Sequence, residues 1–401
     1  MARISNLTKV ILLILVLSLL LTACKGPEKE EAAGSEESEK QEVIEEKIDE
    51  DTGLVHVGQM ELKYAESFSV DYYEGGYKII TDWNGRRTLL VPEGREVPEL
   101  KSDDIDVVHL PIESVGVFAT TAAAELRPLG LLDKIVLVTT EIDDWYIPEI
   151  KEGMEEGRIT YVGKNNAPDY ELIEAINPDL VLITTGTGHG TDEVAAKFDE
   201  MGIKWISRGS QRESDPRGRL EWIKFIGALF DKEEEAEEFY NAQLARIEAV
   251  EEKVASMEEG EREKFVSFFF LKDIYYVRNK GDYEVKMVEL AGGDYILSDL
   301  NPDKDGNSKL NAEELYKGIE DVDIIFYNNR LGRSVQSIED LIATAEYFAD
   351  VKAVKEGRVW GYKPHYFQNA DCVADIIEDL YTIFTTPQGE ITETEYFFLM
   401  D

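Results

Sequence analysis

The sequence predicts an α/β fold: two α/β lobes joined by a single long bridging helix. Three observations carry that expectation. Short apolar runs alternate with helix-period segments at βαβ spacing from Val107 onward. The phrases AINPDLVLITT (175–185) and IEDVDIIFYNN (319–329) both pass from a helix end through an acidic turn into an apolar strand, so the pattern occurs in each half. Between the halves, Leu220, Ile223, Ile226, Gly227 and Phe230 recur at helical spacing, and Ala236, Tyr240, Leu244, Ile247 and Val254 continue it after Asp231.

Residues 1–23 read as an export signal. Arg3 and Lys9 supply the positive start, and Val10 to Leu21 is an apolar run of 12 residues broken only by Ser18. Crossing a bilayer takes about 20 apolar residues, so the run is short for a span. Leu21-Thr22-Ala23-Cys24 follows, and it resembles the lipobox of bacterial lipoproteins. The resemblance implies that Cys24 carries the lipid, palmitate included, and holds the protein on the outer face of the cytoplasmic membrane. Residues 25–53 carry 12 Asp/Glu against 4 Lys/Arg and few large apolar side chains, so 24–55 is expected to be a flexible acidic stalk.

The expected organisation is then an N-terminal lobe over 56–215, a bridging helix over 216–231 and a C-terminal lobe over 232–401. Tyr64 to Val91 alternates polar and apolar residues around Glu74-Gly75-Gly76 and Asn84-Gly85, which is hairpin chemistry. Val107–Leu110, Lys134–Thr139, Leu180–Thr185 and Ile203–Ser207 are expected strands, and Ala119–Leu132, Tyr170–Ile176 and Glu193–Met201 expected helices. In the second half the strands are Phe265–Leu271, Ile274–Val277, Asp323–Tyr327 and Arg358–Tyr362. The helices are Val285–Leu290, Ala312–Ile319, Ile338–Phe348 and Ala374–Phe384.

Tyr161-Val162-Gly163, PDYELIEAINPDLVLI (168–183), KMVELAGGDYIL (286–297) and AVKEGRVW (353–360) together resemble the substrate-binding lipoproteins of bacterial ABC importers, in the group that handles ferric siderophores, haem and cobalamin. The resemblance spans roughly residues 60–385. It implies a ligand held between two lobes, no bond made or broken, a monomer, and a membrane permease with its ATPase as partners. It also implies that Glu171 and Glu289, one per lobe, dock onto arginines of that permease.

In open α/β sheets ligands bind beyond the carboxyl ends of the strands. The loops to examine are therefore 139–146, 185–191, 208–219, 278–283, 327–333 and 362–368. Arg208, Arg212, Arg217 and Arg219 fall within 12 residues of an acidic chain, and Arg278 and Arg330 lie in loops of the other half, so these arginines are candidates to clamp carboxylate or catecholate oxygens. Trp145, Tyr146, Tyr327, Tyr366 and Phe367 could stack on a chelate or macrocycle. His189 and His365 could face each other across the cleft.

Formal net charge of −41 argues against nucleic acid, whose backbone rewards Lys and Arg. Cys372 is the only cysteine besides Cys24, so an internal disulfide is not expected. Four histidines, none clustered, are poor material for a manganese or zinc uptake site. GxSxG and HExxH are absent, which disfavours a lipid-anchored hydrolase; a lipid-anchored sensor would read like a transporter component. Gly186, Gly188 and Gly190 lack dinucleotide-fingerprint spacing, and Asn301, Asp303, Asp305 and Gly306 begin like a calcium loop but reach Ala312 where its Glu should stand.

Overall fold

The computed structural model describes residues 47–401 apart from 189 and 259, so the export signal, Cys24 and most of the expected stalk lie outside the described residues. The last part of the expected stalk, 47–55, is folded: Arg87 pairs with both Asp49 and Asp51, and Ile48 bridges to Val55. Two aspartates that composition alone assigns to solvent are ligated by an arginine.

The first sheet holds β1 (His56–Gln59), β2 (Ser69–Tyr73), β3 (Lys78–Thr81), β4 (Arg87–Val91) and β5 (Ile105–His109) in that order. β1 to β4 are antiparallel and β5 joins parallel to β4. Gly85, at φ +79, closes the β3–β4 hairpin in the backbone region that side chains avoid. One face packs Val70, Ile80, Leu90 and Val108 into the main core, and the other gathers Tyr73, Ile79, Leu89, Val91 and Ile105.

The second sheet is wholly parallel: β6 (Val115–Val117), β7 (Ile135–Val138), β8 (Thr160–Tyr161), β11 (Leu180–Ile183) and β12 (Trp205–Ser207), ordered β12-β11-β6-β7-β8. A small hairpin, β9 (Gly163–Lys164) with β10 (Ala167–Pro168), turns at Asn165-Asn166. β11 is apolar and buried at every residue, as a strand covered on both faces must be. The helices between these strands are α1 (Thr120–Leu126), α2 (Pro148–Glu155), α3 (Tyr170–Ile176) and α4 (Thr191–Met201). Asp169 caps α3 by accepting the Leu172 N–H at 3.0 Å, an arrangement typically worth about 1 kcal/mol, and Asn177 ends it at φ +54.

The segment expected as one bridging helix over 216–231 is two short helices, α5 (Pro216–Glu221) and α6 (Ile223–Leu229), interrupted at Trp222. The indole donates to Glu213 at 3.0 Å and packs on Phe68 and Phe225, and the Trp222 N–H bonds to the Arg219 carbonyl, tightening the turn there. Neighbouring Glu221 is fully buried and accepts the N–H groups of Lys63, Tyr64 and Ala65. The longest helix follows: α7 (Glu233–Ala255) buries Ala236, Tyr240, Leu244, Ile247, Val250 and Val254 as one stripe.

The third sheet runs β16 (Asn307–Leu310), β14 (Ile274–Arg278), β13 (Lys264–Leu271), β17 (Ile324–Tyr327), β18 (Val359–Tyr362), β19 (Phe397–Leu399), with β15 (Asp294–Tyr295) beside β13. β13, β17 and β18 are parallel, and antiparallel β14, β16 and β19 finish the edges. Its helices are α8 (Tyr283–Leu290), α9 (Ala312–Ile319), α10 (Ile338–Thr344), α11 (Lys352–Lys355) and α12 (Val373–Thr385). A single buried apolar cluster runs from the first sheet through Trp222 and α7 to Phe265 and Phe326 of the third. The two-lobed α/β architecture is as expected; the single bridge helix is not.

Candidate functional site

Loops beyond the carboxyl ends of the second sheet face α8, α12 and the loop after β18 across a cavity of about 560 Å³. From the first half come Phe118, Ala119 and Thr121 after β6, the Asn165-Asn166 turn, Thr184 and Thr187 after β11, and Ser210 and Gln211 after β12. From the second come Tyr283 and Met287 of α8, Tyr366, Phe367 and Asn369, and Val373 and Ile376 of α12. A second recess of about 610 Å³ shares Phe118, Asn165, Asn166 and Phe367 and adds Thr139, Thr140, Glu141, Asp144, Tyr161 and Lys164. Size and lining, a mixture of rings and small polar groups, suit a small-molecule ligand.

Contacts between the halves flank the cavity. Gln368 donates to the Asp144 carbonyl at 2.7 Å and accepts from the Tyr146 N–H at 2.8 Å. Arg127 grips Asp371 through two bonds and reaches Asn369 at 3.0 Å. Lys286 donates to Ser214 at 2.9 Å.

Among the described residues lining the first cavity the charged groups are Arg219 and Glu125. The Arg219 guanidinium lies 3.2 Å from the Tyr283 ring centroid, and its Nε and Nη2 donate to the carbonyls of Glu213 and Gln211 at 2.8 and 3.0 Å. Glu125 is engaged from behind by Arg208, whose Nε donates to it at 2.7 Å. The Tyr366 hydroxyl is buried and has no hydrogen-bond partner among the described residues. Burial holds its pKa well above the ordinary phenol value, so it stays a neutral donor. Burial raises Tyr283 in the same direction.

Behind this aromatic surface lies a charged cluster. Arg278 donates to Glu284 at 2.8 Å and reaches Asp282 at 3.4 Å, and the Tyr362 hydroxyl donates to Glu284 at 2.6 Å. Burial works against the Arg278 charge, but Glu284 and Asp282 outweigh it and hold its pKa up. Burial pushes the Asp282 carboxyl up to about 7, with Arg278 opposing.

Of the described side chains singled out from sequence, Tyr366, Phe367 and Arg219 line the cavity, and the others do not. Arg208 is 1% exposed and taken by Glu125, Thr121 and Ser210. Arg278 is taken by Glu284 and Asp282, and Arg217 by Asp215 and Glu251 with Tyr64 beneath it. Arg212 lies 3.3 Å from the Trp83 ring centroid and donates to the Gly186 carbonyl. Arg330 is half-buried away from the cavity. Of the six candidate arginines only Arg219 lines the cavity, because Arg208 and Arg278 are buried against carboxylates, Glu125 far along the chain and Asp282 and Glu284 close by, and Arg217 is held by Asp215 and Glu251.

Trp145 is fully buried and donates to the Thr140 carbonyl, and Tyr327 is fully buried with its hydroxyl between the Phe270 N–H and the Gly332 carbonyl. Tyr146 is 40% exposed outside the cavity lining, and His365 lies 3.5 Å from Glu395 against the Tyr396 ring. His189 lies outside the described residues. No group of three His, Cys, Asp or Glu poised to hold a metal ion occurs among the described residues. Lining residues missed from sequence include the polar Asn165, Asn166, Thr184, Thr187, Ser210 and Gln211, whose signal is a position in loops past strand ends, and Glu125, Tyr283 and Met287, which sit on helices and carry no such signal.

Glu171 is exposed in the first turn of α3, where the helix dipole favours a carboxylate. Glu289 is in the last turn of α8, not at a helix start, and pairs with Lys280.

A family model described as periplasmic binding protein matches residues 120–366. An uncharacterized lipoprotein of Methanocaldococcus jannaschii is 27% identical over 361 residues, covering 84% of each chain. Among solved structures, a periplasmic heme binding protein from Pseudomonas aeruginosa superposes with TM-score 0.58 at 15% identity, covering 72% of this chain and 98% of that one. A possible iron-binding (periplasmic solute-binding) protein from Staphylococcus epidermidis gives TM-score 0.54 at 18% identity, covering 69% and 99%.

Proposed function

This chain belongs to the periplasmic binding protein family, whose members bind solutes and are not enzymes, and from that premise we propose that it is the ligand-capturing component of an ABC importer for an iron chelate, haem or a corrinoid. The observation that carries the reading is the cavity itself: rings and hydrogen-bonding groups from both halves converge at the carboxyl ends of a parallel sheet. Tyr366, Phe367 and Tyr283 would cover the flat or apolar part of such a ligand. Arg219, the unpartnered Tyr366 hydroxyl and the amides of Asn165, Asn166, Gln211 and Asn369 would bond its edge. The fold shared with a heme-binding and a possible iron-binding protein agrees with that ligand class.

Anchoring through Cys24, on the extracytoplasmic face, and delivery to a permease driven by its ATPase complete the proposal. Glu171 is the stronger docking group, since it is exposed; Glu289 must first leave Lys280. Thermal-shift screening of the purified protein with haemin, cyanocobalamin and ferric siderophores tests the capture role. At least one is expected to raise Tm, by an amount that grows with the logarithm of ligand concentration over Kd, and absence of any shift with all of them would sink the reading. Glu171→Lys is expected to depress uptake into cells while leaving the ligand-induced shift intact.

A further inference from the structure

Resting on that capture reading, we infer that the cleft selects an uncharged chelate with hydrogen-bonding groups on its rim and discriminates against polyanions. The charge inventory points that way. Arg208, Arg217 and Arg278 are each paired with carboxylates and lie outside the cavity of about 560 Å³, which leaves Arg219, itself 3.7 Å from Asp305, as the one cation among the described residues lining it. Arg219 is itself stacked on Tyr283 and tied to two carbonyls, so it has little freedom to swing out and chelate. In the adjoining recess, exposed Glu141 and Asp144 outnumber Lys164. The remaining polar groups there are neutral amides and hydroxyls.

A ligand with two or three negative charges would lose its hydration on entering, and the two linings offer it only the tied-down Arg219 and the exposed Lys164, the latter beside the carboxylates of Glu141 and Asp144. It would also approach a chain of formal charge −41. An uncharged chelate pays neither cost, and its carbonyl and hydroxyl rim finds amide N–H and hydroxyl partners, the unpartnered Tyr366 hydroxyl included.

Calorimetric titration of the intact protein with four probes tests this: an uncharged ferric trihydroxamate, uncharged cyanocobalamin, haemin with its two propionates, and a triply negative ferric tris-catecholate. The expected result is that an uncharged probe binds tightest, by about tenfold or more over either anion. Added salt should leave its Kd unchanged while strengthening whatever anion binding exists. An anionic probe binding tightest, or an anion weakened by salt, overturns the inference and leaves the capture reading standing; no binding by any probe overturns both. Glu141→Lys combined with Asp144→Lys is expected to cut the uncharged-to-tris-catecholate preference by about tenfold. An unchanged preference would remove the recess from the discrimination.

Discussion

The arginine following β12, Arg208, meets Glu125 at the cavity lining, whereas Arg278, ending β14, meets Glu284 one layer behind Tyr283 and Tyr366. Both are Arg–Glu pairs with little solvent exposure. They differ in surroundings: Glu125 has the solvent-accessible cavity on one side, while Glu284 is enclosed by Ser267, Tyr362 and Arg278. The first wall is therefore a set of short loops whose polar groups can adjust. The second is a ring-faced plate stiffened by buried charge. A site divided this way separates recognition, which mutation can tune, from support, which it can only damage.

The largest effect is expected from breaking the enclosed pair. Arg278→Met would strand the Glu284 carboxylate, at a cost of about 3–5 kcal/mol in denaturant unfolding. Arg208→Met should cost clearly less, because Glu125 can then turn to water in the cavity; equal losses would erase the distinction between the walls.

A smaller effect concerns acidity. An exposed aspartate titrates near ~3.9, and the folded chain raises Asp282 to about 7, so between those values the native state holds a proton that the unfolded chain has released. That contribution is complete below the lower value and is lost as pH rises through the upper one, amounting to on the order of 2–4 kcal/mol. Asp282→Asn is expected to flatten Tm against pH across this window; an unaltered slope would place the titration elsewhere.

The smallest effect belongs to the adjustable wall. Asn165→Ala should weaken ligand binding by about 1 kcal/mol without moving Tm, since the residue is exposed on a two-residue turn.

Elements with strong punctuation were legible in the sequence. Asp169 before α3 and Asn177-Pro178 after it fix that helix at the expected residues, and Asn311 does the same for α9 through a capping box with Glu314. Very short elements such as β6 and β19 were not, because three residues carry too little periodicity. For the site, the strand-end rule located several of the loops, but the choice of side chains within them favoured charge. Charge proved a poor guide: Arg208 and its partner Glu125 are 83 residues apart, and nothing local announces such a pairing. The groups that do face the cavity are amides and hydroxyls that look like any loop.

Residues 63–67 have no regular secondary structure, yet all five of their N–H groups are accepted by the side chains of Glu213 and Glu221 beside the Trp222 break. In hydrogen-exchange terms this stretch behaves like the centre of a sheet. Its amides are tied to the segment linking the halves, so they should exchange only when the whole molecule opens, and the first sheet cannot peel away as a separate cooperative unit.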